Sequence, residues 1–252
     1  MTQAKLFTPV LIGGAVILML SFAIRASFGV FQIPIASEFN WPRAEFSLAI
    51  AVQNLAWGIG QPIFGAIAER WGDRLAIILG ALVYALGLVL SAFAVEPGQH
   101  QLLEILVGFG IAGTGFGVIL AVVGRATSDE NRSLALGIAT AAGSAGQVFG
   151  APMAELLLGH FPWQTVFVIF AAVILASLAF LPLIRAPERA DLLAKNLAYR
   201  ARELAPHVRR DDVRKLREVY WQRFQRLVAR SRIPMRDFYD VGALILGGIR
   251  AQ

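Results

Sequence analysis

The stretch "GAIAERWGDR", residues 65–74, packs two acids and two arginines into six positions between two long apolar runs. So charged a turn in so apolar a setting is what a chain makes where two membrane-spanning helices are joined at the water surface. The flanks decide the matter. A spanning helix needs about 20 mostly apolar residues, and the segments on either side, 46–68 and 75–95, both qualify. Working outward, four more do: 10–31, 102–123, 133–158 and 163–184. The connections are short and hold the charges. The expected fold is an all-α membrane protein with six transmembrane helices. The first apolar run is too long for a cleaved signal peptide, and only Lys5 precedes it.

Composition agrees. The chain has 252 residues, 57% of them hydrophobic and 16% charged, and a mean hydropathy of +0.62. Soluble domains carry about a quarter charged residues. The absence of cysteine excludes disulfides and thiolate metal sites, and His100, His160 and His207 lie far apart, so no metal site is expected. No nucleophile, metal or cofactor constellation is present; the chain is expected to be no enzyme and to bind no cofactor. "GFGIAG", residues 108–113, spells G-x-G-x-x-G. A dinucleotide fingerprint needs a strand before it and a helix starting at it. Here it sits inside a membrane-length apolar run, so the nucleotide reading is rejected.

Charge is unevenly spread. Only 7 of the 23 basic residues precede Arg185, against 9 of the 17 acidic ones, leaving 16 and 8 for the remainder. The organisation read from this is a transmembrane domain over 1–189 and a basic cytoplasmic helical tail over 190–252. With a cytoplasmic N-terminus, Lys5, Arg70, Arg74, Arg125, Arg132 and the tail lie inside and Arg43 alone lies outside. The expectation is therefore a multi-pass inner (plasma) membrane protein with both termini cytoplasmic. In the tail, "ADLLAKNLAYRARELA" (190–205) reads as helix closed by Pro206, and Asp211 or Asp212 caps a second. There Val213, Leu216, Tyr220, Phe224 and Leu227 form one apolar face among arginines. Such a helix suits an anionic membrane surface or a protein partner rather than nucleic acid. "VGALILGGI" (241–249) is too short to span.

The charged turn reads Gly65, three residues, Glu69, Arg70, one residue, Gly72, one residue, Arg74. It resembles the signature of the major facilitator superfamily, a glycine followed by Asp-Arg-x-Gly-Arg/Lys in the loop between spans two and three, with Glu69 where the family more often has Asp. "ENRSLALGI" (130–138), "GQVFGAP" (146–152) and "FPWQTVF" (161–167) look like the family's loop between spans four and five, its span-five glycine-proline motif and the start of its span six. Ala151 separates the glycine from the proline. The resemblance covers about residues 11–189, one six-helix half of that fold. Residues 25–49, with Trp41-Pro42-Arg43 before span two, look most like the monocarboxylate and oxalate/formate branch.

The resemblance implies a conformational-switch loop at Gly65, Glu69, Arg70, Gly72 and Arg74. Gly65 would allow close helix approach and Gly72 a tight turn; the arginines would bridge to acids on adjacent helices. Within the spans, Arg25 is costly in lipid and must face a cavity or a partner. It either binds a substrate carboxylate or forms a structural ion pair. Gln53, Trp57 and Gln61 share one helical stripe with Asn54 beside it, a wet substrate-binding cavity or a helix interface. Pro62 interrupts the hydrogen-bond ladder beyond it. Glu104 and Glu155 read as interfacial, solvated acids near outer helix ends. Gly113/Gly117 and Gly146/Gly150 are GxxxG pairs that let backbones approach. The leading function is secondary transport of a small organic anion such as a monocarboxylate, by a half-size chain working as a homodimer. The alternative is a non-transporting anchor or accessory subunit of a larger membrane complex, docking through its helices and basic tail.

Overall fold

Thr8 caps the first helix by accepting a hydrogen bond from the Leu11 backbone N–H, and Pro9 follows at a position where its missing N–H leaves no bond unmade. From there α1 (Pro9–Ser27) passes through a single 3-10 turn, Phe28–Phe31, into α2 (Gln32–Phe39). The first span thus continues past the expected end at residue 31. Asn40, in the left-handed conformation (φ 54), ends it, a role Asn fills because its short polar side chain tolerates that region. In this computed structural model, residues 6–185 are described. They belong to the first of two units, Met1–Ala186 and Pro187–Gln252. The tail helices and the 241–249 segment lie outside the described residues, as does Lys5.

α3 (Arg43–Trp71) is the longest helix and runs through Pro62 without a break. Gly72, at φ +100, turns the chain directly into α4 (Asp73–Ser91); a side chain there would be strained. The fourth span is interrupted. α5 (Pro97–Thr114) and α6 (Phe116–Ala126) meet at an extended Gly115. α7 (Arg132–Leu158) and α8 (Trp163–Ala176) follow, and α8 tightens into a 3-10 segment, Ser177–Leu183, that contains Pro182. Five of the six spans are long and apolar enough to cross a membrane. α3, at 29 residues, is long enough, but Gln53, Asn54 and Gln61 keep it out of that apolar set.

The tightest pairings are α1 with α7, α3 with α5, and α4 with α5. Glycine makes each possible. A Cβ on Gly146 or Gly150 would run into the Met19 and Ala23 backbone carbonyls of α1; one on Gly80 would come within 2.6 Å of the Gly113 Cα. The G-x-G-x-x-G run is packing too. Gly108 meets α3 at Gln53 and Ala56, Gly110 meets Tyr84 of α4, and Gly113 meets Gly80 and Phe64. Gly113 and Gly117, expected to act together, fall on either side of the Gly115 break, and Gly117 faces Gln61. Two apolar clusters result. One, at the end that holds Trp41 and Trp163, contains Phe28, Phe31, Phe46 and Phe167; the other, towards the Gly72 turn, contains Leu11, Ile77, Val122 and Ile184.

Candidate functional site

Arg25 lies six residues into the second half of α1, half-buried and turned toward α3. Its Nη2 donates to Asn54 Oδ1 at 2.6 Å, and its guanidinium stands 4.7 Å from the centre of the Trp57 ring. Phe22 lies 5.9 Å away on the same helix and packs edge-on against Trp57. Asn54 is held in turn by its own Nδ2, which donates to the Ile50 carbonyl at 2.8 Å. No carboxylate lies within ion-pair distance of Arg25 among the described residues, so the structural ion pair is absent there. Two buried donors at this spot, Arg25 Nε and Trp57 Nε1, have no hydrogen-bond partner. Unpaired buried donors are rare in folded proteins and call for an explanation. A cation with no anion beside it, whose own Nε–H and whose neighbouring indole N–H are both unpaired, is chemically an anion-binding arrangement.

The expected stripe of Gln53, Trp57 and Gln61 divides. Trp57 and Asn54 face α1. Gln61 packs on Gly117 of α6. Gln53 is fully buried between α3 and α5, where its Nε2 donates to Glu104 Oε2 at 2.6 Å. For Gln53 the helix-interface reading therefore holds in place of the cavity. Successive residues of a helix point about 100° apart, so Gln53 reaches α5 and Asn54 reaches α1.

Glu104 corrects a second expectation. It is fully buried rather than solvated. Its Oε1 lies 3.8 Å from His100 Nε2, one turn earlier on α5. His100 is itself enclosed by Phe46 at 5.6 Å, Trp41 at 6.1 Å and Phe167 at 6.3 Å. These rings come from α3, the segment before it and α8, and Glu104 itself is bonded by Gln53 of α3, so distance from a helix end misjudged its burial. Glu155 is exposed. The i,i+4 spacing of His100 and Glu104 was the available signal for their contact.

The charged turn works differently from the expectation. Arg74 donates to backbone carbonyls that end the sixth span, Ile184 at 2.8 Å and Pro182 at 3.1 Å, rather than to an acid. That satisfies carbonyls a helix end leaves unpaired. Asp73, overlooked in the sequence, pairs with Arg125 at the end of α6. Arg70 lies over the Trp71 ring at 5.1 Å, and Glu69 is exposed. A Cβ on Gly65 would meet nothing within 4 Å, so no close approach among the described residues requires glycine there. Gly72 does require it.

Ser21, Tyr84 and Thr114 form a further buried polar cluster. Ser21 Oγ and Thr114 Oγ1 are 2.8 Å apart, and the Tyr84 hydroxyl donates to the Ser21 carbonyl at 3.3 Å. Among the described residues no group of His, Asp and Glu is arranged to hold a metal.

The family model described as Major Facilitator Superfamily matches residues 13–239. Monocarboxylate transporter 13 of Bos taurus is 33% identical over 168 residues, which are 66% of this chain and 39% of that protein. Monocarboxylate transporter 11 of Homo sapiens is 30% identical over 196 residues, 71% of this chain and 40% of that protein. The chain therefore spans about two fifths of the length of these relatives. A crystal structure of a bacterial homolog of the human lysosomal transporter Spinster, inward-facing and unoccupied, matches 71% of this chain and 43% of its own at a TM-score of 0.57 and 20% identity. That last likeness is one of fold alone.

Proposed function

The chain belongs to the major facilitator superfamily, and from that premise we propose that it carries a small organic anion, such as a monocarboxylate, across the membrane. The observation that carries this reading is Arg25, held by Asn54 and Trp57 with no carboxylate to neutralise it among the described residues, its own Nε and the neighbouring Trp57 Nε1 both unpaired. A carboxylate fits the fork of a guanidinium bidentately, and the indole N–H of Trp57 supplies a third donor. The likeness to monocarboxylate transporters 11 and 13 supports the substrate class.

The bundle acts with a second bundle. α7 is both the least buried and the least apolar of the five apolar spans. Beside the exposed Leu134, Val148, Phe149 and Leu156, it exposes Ser133, Gly137, Thr140, Ser144 and Gln147 at steps of three and four, with Glu155 two turns further on. Among its large apolar side chains α4 exposes Leu75, Leu79, Leu82, Leu86 and Leu90. The leucine stripe suits lipid. The polar stripe is costly there and needs water or protein against it. A second copy in the same orientation, about a two-fold axis along the membrane normal, would supply that cover and enclose the Arg25 site between parallel repeats.

Purified protein in liposomes tests this. Uptake of labelled lactate or a similar monocarboxylate, inhibited by other monocarboxylates and not by organic cations, is the expected result. A protein that takes up none of them and purifies as one copy within an assembly of other subunits would instead be an accessory component.

A further inference from the structure

His100 and Glu104 are both buried, at 1% and 0% exposure. His100 Nε2 and Glu104 Oε1 face each other at 3.8 Å, and neither atom has a hydrogen-bond partner. The other carboxyl oxygen accepts from Gln53. The imidazole lies between two nearly parallel rings, Phe46 at 25° and Phe167 at 18°, with Trp41 beside them. Two unpaired polar atoms aimed at one another inside an aromatic cage are an expensive arrangement. One proton between them gives both a partner.

We infer that His100 and Glu104 form a proton-binding site whose occupancy is passed through Gln53 to the Arg25 site. The inference rests on the transport reading for its purpose, not for its chemistry. A proton from water adds to the pair, no bond between heavy atoms changes, and the pair goes from a net negative charge to neutral. Release returns the proton to water. His100 lies in the first turn of α5, next to the exposed Gln99 and near the exposed Glu96, so the path to solvent is short.

The neighbours leave the proton to this pair. α3 presents the neutral Gln53; its Glu45 is occupied by Gln101, which donates at 2.7 Å. α4 presents Tyr84, whose hydroxyl bonds to Ser21 and which lies within electrostatic reach of both Glu104 and Arg25. α1 presents Arg25, bonded to Asn54. α6 carries Arg125, paired with Asp73 at its far end. α8, behind the cage, presents Phe167 and has no titratable side chain. Coupling follows from chain order. Gln53 and Asn54 are consecutive residues of α3; one holds Glu104 and the other holds Arg25. A change in the Glu104 contact therefore turns the same helical segment that positions the guanidinium.

The test is infrared difference spectroscopy of the full chain in lipid vesicles, recorded between alkaline and acidic buffer, beside monocarboxylate uptake at both pH values. In the wild type a carboxylic-acid carbonyl band should appear on acidification and be lost in Glu104→Gln, which keeps the amide contact with Gln53. Uptake should depend on pH in the wild type and lose that dependence in the variant. His100→Phe, which fills the same cage and spares Glu104, should shift the pH at which the band appears; this variant decides if Glu104→Gln does not fold. An identical band in wild type and Glu104→Gln, or an unshifted one in His100→Phe, overturns the inference. A band present in a protein that transports no anion removes the transport reading and leaves the proton site standing. Anion uptake without the band does the reverse.

Discussion

A guanidinium inside a membrane span needs compensation, and at Arg25 it comes from an amide oxygen and an indole ring instead of a carboxylate. The charge at this position was legible in the sequence. What surrounds it was not, because the partners come from another helix, and spacing along one helix says nothing about which helices adjoin. The same limit explains Glu104, whose carboxyl is buried against Gln53 of another helix. Arg25→Gln removes a charge-assisted contact of about 1.5–3 kcal/mol, so half-saturating monocarboxylate should rise about 10- to 100-fold in liposome uptake. Arg25→Lys keeps the charge but loses the fork and the stacking on Trp57, and should fall between wild type and Arg25→Gln. A lysine variant equal to wild type would reduce Arg25 to a mere point charge; a glutamine variant with unchanged uptake would remove it from the site.

At the scale of elements, the six spans were readable because apolar length is a local property, and their interruptions were not. The extension of the first span through Phe28–Phe31 and the break at Gly115 arise where neighbouring helices pack. Glycine positions were readable as a class but not individually. Along α7, Gly146 touches the Met19 carbonyl of α1, whereas Gly137 has nothing within 4 Å. Gly146→Ile should therefore destabilise the protein by about 1–3 kcal/mol through overpacking, seen as a lower melting temperature in mild detergent. Gly137→Ile, the same change on the same helix, places a Cβ that meets nothing within 4 Å among the described residues and should lower the melting temperature far less. Equal effects would mean that helix propensity, not the α1–α7 contact, sets the response. The charged turn offers a second comparison. Asp73 pairs with Arg125, while Arg74 bonds carbonyls at Ile184 and Pro182. A double-mutant cycle of Asp73→Ala with Arg125→Ala should give a coupling of about 0.5 kcal/mol or more, and a cycle of Asp73→Ala with Arg74→Ala much less. The reverse ranking would assign the tie between spans to Arg74.

At the scale of the whole described bundle, two exteriors differ. α4 shows Leu75, Leu79, Leu82, Leu86 and Leu90, whereas α7 shows Ser133, Thr140, Ser144, Gln147 and Glu155 beside Leu134, Val148, Phe149 and Leu156. Composition announced a membrane protein, yet which face meets lipid required knowing which residues the bundle leaves uncovered. Gln53 is sealed between α3 and α5, so the proposed pairing of two copies is tested on α7. The chain has no cysteine, so single cysteines at Ser144 or Gln147 report without background. If two copies share the α7 face, Ser144→Cys or Gln147→Cys should crosslink to itself in native membranes under mild oxidation, and monocarboxylate should alter the yield because the Arg25 site lies between the copies. Leu82→Cys on α4 should not crosslink and should react instead with a lipid-soluble maleimide. Neither outcome depends on the direction in which the chain is inserted. Self-crosslinking at α4 with none at α7 would put the interface on the leucine face and deprive the polar stripe of its proposed partner. Crosslinks from α7 to a different protein, one copy per assembly, would replace the homodimer by a complex in which that protein covers the stripe.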